Sequence, residues 1–158
     1  MSHFMQEKWP TYEGSHGMRN QLFDILTDAD LSFTPGGTNM TLGALWKQMG
    51  EIEYDYNQSL KTFTQDWDYK NTETGLETSV AKLKAWFQTL DDEMKATVSA
   101  MSDEDTKKMI ARRGGYSVPV ETQLEIYLQA VLIFFGKATI FLRAMNKPLP
   151  DSFADWIW

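Results

Sequence analysis

The residues whose types and spacing could do chemistry are few. Cysteine is absent, so disulfides, thiolate metal sites and cysteine nucleophiles are excluded. The two imidazoles, His3 and His16, both fall near the N-terminus and are read as solvent-facing or capping groups, not ligands. Gln48, Glu51 and Asp55 recur one helical turn apart. Such a stripe could hold a hard cation or accept a substrate proton. The favoured reading is blander: Glu51, Glu53 and Asp55 form a solvated edge beside an apolar stripe. Tyr127 points into its helix's apolar face and needs a hydrogen-bond partner, for which Gln48 and Glu51 are the candidates. No Gly-x-Ser-x-Gly elbow is present, which leaves a Ser–His pair without support. Pro35-Gly36-Gly37 lacks the Lys-Ser or Lys-Thr of a phosphate-binding loop and reads as a turn.

These residues must be positioned by helices. From Val120 to Asn146 apolar residues recur at spacings of three and four, which is a helix with a wide apolar face. Gln129, Lys137 and Arg143 interrupt it too much for a membrane span. A helix from Thr41 to about Thr64 carries Leu42, Leu45, Met49, Ile52, Tyr56 and Leu60, with Thr41 as its N-cap. A third runs to about Ala100, opened by a capping box at Thr74-Gly75-Leu76-Glu77. The earliest spans Tyr12 or Ser15 to Asp28, with Met18, Leu22, Ile25 and Ala29 inward. Residues 1–12 are expected to form an irregular arm, residues 111–119 a loop, and residues 148–158 a tail docked through Phe153, Trp156, Ile157 and Trp158. No strand-like alternation of useful length is apparent. The expectation is a single all-α domain over 1–158, a four-helix bundle with short accessory helices.

A chain of 158 residues can bury roughly 70% of its unfolded surface in one core. The net charge of -7 repels phosphate backbones, so no nucleic-acid partner is expected. Neither is a membrane. The N-terminus lacks a charged-then-apolar signal pattern, and a cytoplasmic location is the default.

Residues 134–150, FFGKATIFLRAMNKPLP, resemble the end of the DinB/YfiT-like family of four-helix bundles. Gly136, Leu142, Arg143 and Pro148 or Pro150 fall into that family's register. TLGALWKQMGEIE resembles its Ser-Ile-Gly-x-Leu-Leu-x-His stretch through Thr41, Gly43 and Leu45. The resemblance implies up-down-down-up connectivity, so residues 65–75 must return along the bundle. A helix of ~24 residues is ~36 Å long, and ~11 extended residues just span that. It also implies a metal site of three histidines, one on the second helix and two on the fourth. Here those positions are Gln48, Ala130 and Phe134. An amide is a poor transition-metal ligand and the other two are none, so no metal and no cofactor is expected. The family's Arg and Gln positions beside the site hold Phe135 and Lys137.

Two classes of function follow. The first is a binding bundle without metal-dependent catalysis. It takes a small apolar ligand at Gln48, Glu51, Tyr127, Ala130 and Phe134, or a partner chain. The second is an enzyme, similar to the family's thiol transferases, with a site rebuilt from Gln48, Glu51, Asp55 and Tyr127. A homodimer is expected, from the resemblance and from a surplus of tryptophans, with Trp46 and Trp86 facing a neighbour.

Overall fold

The segments with apolar stripes do form helices, and the polar ends add more. In chain order the elements are α1 (His3–Glu7), α2 (Trp9–Asp24), α3 (Leu42–Thr62), α4 (Val80–Ser99), β1 (Met109–Arg112), β2 (Tyr116–Pro119), α5 (Val120–Ala144) and α6 (Asp151–Ile157). This computed structural model describes residues 2–157, and of residues 154, 156 and 157 the backbone alone. The expected docking of Trp156, Ile157 and Trp158 lies outside the described residues. Phe153 does dock, edge-on against Phe135 with ring centroids 5.0 Å apart.

Contacts between named residues fix the directions of the four long helices. Lys8 reaches Glu121, His16 reaches Tyr127 and Lys147 reaches the Ile25 carbonyl, so α2 and α5 run the same way. Asn57 meets Leu90 and Lys61 meets Glu93, so α3 and α4 are also parallel. Phe134 packs on Trp46 and Tyr127 on Tyr56, which makes α3 and α5 antiparallel. The result is the expected up-down-down-up bundle.

The chain between α3 and α4 returns along α3 as that connectivity requires. Trp67 packs on Tyr56, Tyr69 stacks on Tyr54, and Lys70 and Asn71 both donate to Glu51. At the far end a Cβ on Gly43 would lie 1.9 Å from the Glu77 carbonyl oxygen, so only glycine permits this crossing. The tightness here explains why α4 does not open at Thr74. The backbone first passes a left-handed Gly75 and a 3₁₀ turn over Leu76–Thr78, and Ser79 then caps α4 by accepting from Lys82 N–H.

Other expectations are corrected. The N-terminal arm is helical. The Ser2 hydroxyl accepts from Met5 N–H to cap α1, and Pro10 sits in the first turn of α2, where its missing N–H costs nothing. The inward face of α2 is Tyr12, Ser15, His16, Arg19, Leu22 and Phe23, rotated from the Met18–Ile25 stripe. Residues 109–119 form an antiparallel hairpin. Its turn is built on Gly114 and Gly115 at φ 99° and 81°, values that suit glycine. Each strand has only four residues, too few to show alternation. By length and composition α5 could cross a membrane, its polar interruptions notwithstanding. Its inward face, however, carries Gln123 and Tyr127 within polar networks.

Trp46 is not at a neighbour's interface. It is 0% exposed, with Phe23, Phe134 and Phe87 at centroid distances of 4.0, 4.6 and 5.4 Å. Trp86 lies over Gly50, where a Cβ would meet its ring at 2.4 Å.

Two substitutions test this packing by urea denaturation. Gly43→Ala should cost about 1–3 kcal/mol by forcing the return chain off α3. Phe134→Ala, which removes a ring from the Trp46 cluster, should cost about 3–5 kcal/mol. An unchanged midpoint in either would contradict the packing described.

Candidate functional site

The structure brings together three of the positions singled out in the sequence. Gln48 on α3 and Ala130 and Phe134 on α5 line one open cleft of about 190 Å³, with Leu45, Met49, Ile52, Ile133 and Lys137. Helical spacing accounts for this. Ala130 and Phe134 are four apart on α5 and so share the face that meets α3. The lining is nearly all carbon. A second cleft of about 400 Å³ shares Leu45 and Lys137 and continues toward the loop at Pro35–Met40. The two adjoin at Leu45 and Lys137 as a trough along the seam of α3 and α5, apolar but for Gln48, Lys137 and the loop's Thr38 and Asn39. An amide, a methyl and a phenyl ring do not fit a transition metal here.

The other expected site residues lie elsewhere. Glu51 faces the return chain and accepts from Lys70 Nζ at 2.9 Å and Asn71 N–H at 3.1 Å. Asp55 is buried under the same chain. Its carboxyl is pushed up to about 6 by desolvation, against Lys70 and with help from the charges of Asp66, Asp68 and Glu51. Glu53 points the other way into the bundle. These three acids are therefore not a solvated edge: Glu51, Glu53 and Asp55 are all buried. Tyr127 pairs with neither Gln48 nor Glu51. Its hydroxyl meets His16 Nε2 at 2.8 Å.

His16, read as a surface residue, belongs to a buried polar cluster that sequence reasoning missed. His16 Nδ1 lies 3.0 Å from Asp91 Oδ1. Arg19 donates to both Asp91 oxygens, at 2.6 and 2.7 Å, and to Glu53 Oε2 at 2.6 Å. Its guanidinium also lies 4.4 Å from the centre of the Phe87 ring. Arg19 and Glu53 are 0% exposed. A signal was available. Asp91 falls between Phe87 and Met94, and Glu53 between Met49 and Tyr56, each at inward registers. Charged residues on an apolar stripe are buried partners.

The protonation pattern follows from burial and charge. Burial alone would raise the Asp91 carboxyl, but the His16 hydrogen bond and the Arg19 charge hold it well below the usual carboxylate range. Desolvation pushes Glu53 up to about 8, over the pull of Arg19 and with the charge of Asp91 adding to it. Desolvation also lowers His16, despite its bond to Asp91, and raises Tyr127 well above its ordinary value. The cluster near neutrality is thus a guanidinium–carboxylate pair with neutral Glu53, His16 and Tyr127. Asp91 only accepts, so His16 Nδ1–H donates to it and Nε2 accepts from the Tyr127 hydroxyl. Donor atoms of His16, Glu53 and Asp91 lie within 4.8 Å of one another, a set that could hold a metal ion. Arg19 already stands against both carboxylates and supplies the positive charge such an ion would bring. Outside the cluster a polar cleft of about 320 Å³ runs past Trp9, Glu13, Asn20 and Asp92 to the edge of His16 and Asp91.

No family model matches the chain, and no curated protein matches it. Solved structures do. The arrangement is that of DinB-like bundles. A DinB-like protein from Bacillus cereus superposes with TM-score 0.73 at 16% identity, covering 90% of this chain and 93% of that one. One from Bacillus subtilis gives TM-score 0.68 at 17% identity, covering 85% and 90%. The mycothiol-dependent maleylpyruvate isomerase gives 0.64 at 12% identity, covering 84% of this chain and 61% of its own. At these identities the likeness establishes the fold.

The cluster generates two predictions. Arg19→Met leaves buried acids without their partner and should cost about 3–5 kcal/mol. Glu53 binds its proton more tightly folded than unfolded, so the stability it contributes is full below its ordinary value of 4.5 and is lost as pH rises through about 8. Urea melts from pH 5 to 9 should show that decline in the wild type and a flatter profile in Glu53→Gln. Parallel profiles would place the titration elsewhere.

Proposed function

We propose that this DinB-like bundle lacks the three-histidine metal centre and works by binding, with a small apolar ligand seated in the trough between α3 and α5. The observation that carries this reading is the convergence of Gln48, Ala130 and Phe134 on one carbon-lined cleft that continues past Leu45 into a second. Concave, mostly apolar sites with a few polar groups are where small molecules bind. The buried aromatics beneath, Phe134 on Trp46, give the floor a fixed shape.

A thiol-dependent enzyme, by analogy with the maleylpyruvate isomerase, finds less support. It needs Gln48, Glu51, Asp55 and Tyr127 to act together. Glu51 is engaged by Lys70 and Asn71, and Tyr127 by His16 of α2.

Nile red, a neutral apolar dye, tests the binding reading. It should bind saturably with a blue-shifted emission. Ala130→Trp, which fills the cleft, should weaken it about tenfold or more. Ile133→Ser, at a position 61% exposed and so safe for folding, should weaken it several-fold, about 1 kcal/mol of lost apolar contact. Dye binding indifferent to both changes would refute the assignment.

A further inference from the structure

The trough contains one charged group. Lys137 lies where the two clefts meet and lines both, and no second cation lines either. Among the described residues no carboxylate pairs with it. Other lysines stand beside acids, Lys70 on Glu51 and Lys84 on Asp24, as a chain of net charge -7 would lead one to expect. Ile133 and Ile140, one turn either side of Lys137, are each 61% exposed. A Cβ at Gly136 would meet nothing within 4 Å.

An unpaired cation at the rim of a carbon-lined trough calls for a ligand with one negative charge and an apolar body. A lysine is a point charge on an apolar stem, able to lay the stem along the wall and present the ammonium at the rim. A phosphate would want several donors or a guanidinium fork, and one lysine suits a singly charged head. Charge also argues against a second copy on this strip. A two-fold axis near Gly136 would bring Lys137 against Lys137, and no acid lines either cleft to offset the repulsion.

We propose, resting on the reading of the trough as a binding site, that its ligand is a small straight-chain carboxylate. The Lys137 ammonium holds its head and the cleft over Met49, Ile52, Ala130 and Phe134 takes its tail. From Lys137 to Ala130 is seven residues of helix, ~10 Å, so a chain of medium length fills it.

Decanoate and decanol share a tail and differ in the head, and each can be titrated against Nile red on the full chain near neutral pH, below micelle formation. Decanoate should displace the dye at about fivefold lower concentration, the ratio that about 1 kcal/mol from one exposed ion pair supplies. Lys137→Met should bring decanoate to the level of decanol. Lys137→Glu should reverse the order. Lys137 is exposed, so neither change disturbs the core, and circular dichroism checks this. Equal displacement by both in the wild type, or a decanoate preference that survives Lys137→Met, overturns the carboxylate assignment and leaves the trough standing. If neither displaces a bound dye, or the dye does not bind, the trough reading falls with it. A wild-type dimer in sedimentation equilibrium that excludes both ligands gives the face to a second copy and overturns the proposal.

Discussion

The bundle depends on one buried guanidinium. Arg19 of α2 donates to Asp91 of α4 and Glu53 of α3, and through Asp91 it is coupled to His16 and so to Tyr127 of α5. All four long helices meet at this point. Apolar contacts set the amount of surface buried, but they tolerate sliding and rotation. A set of directional bonds among Arg19, Asp91 and Glu53 does not, because a shift of one helix would leave a buried acid unpaired in a medium of low dielectric. The aromatic packing around Trp46 lies one to two turns along from this point on the same helices, and its registers follow from it.

The two regions with chemistry are thereby given different tasks. The polar cluster is largely satisfied, with only Arg19 Nε and Glu53 Oε1 lacking hydrogen-bond partners among the described residues. Each His16 nitrogen has a partner, Arg19 stands against both carboxylates, and the Tyr127 hydroxyl is held away from solvent. Such a site orients helices, and its His16 and Asp91 edge borders the polar cleft past Trp9 and Glu13. The α3–α5 trough is open to solvent and mostly apolar, and its one lysine, Lys137, pairs with no carboxylate among the described residues. The apolar trough and the titratable cluster are thus distinct regions of the bundle.

The legible part of the sequence was the part governed by helical periodicity. The stripes of α3, α4 and α5 and the Thr41 cap gave the bundle, and the resemblance gave its connectivity and the convergence of Gln48, Ala130 and Phe134. Where reasoning failed, local rules met tertiary contacts. Trp9-Pro10 reads as a helix breaker, yet in a first turn it breaks nothing. Thr74–Glu77 satisfies a capping pattern, yet the crossing at Gly43 forces a turn there and hands the cap to Ser79. Glu51, Glu53 and Asp55 were grouped by charge, although Glu53 faces α2 and the other two face the return chain. His16 was judged by its place near the start of the first helix, when its partners were an acid of α4 and a tyrosine of α5. Charges set at inward registers, Asp91 and Glu53 among them, were the clue that periodicity did contain.

The connection from Phe63 back to Gly75 also bears on how the chain finds this structure. Because it lays α3 and α4 side by side in the same direction, these consecutive helices cannot zip together as a hairpin. The antiparallel neighbours, α3 with α5 and α2 with α4, each have another long helix between them in sequence. Assembly therefore waits on the closure of long segments, an entropic cost that a simple up-and-down bundle avoids. The fold should form more slowly than its helix content suggests. Its rate should be most sensitive to the residues that hold the returning strand to α3.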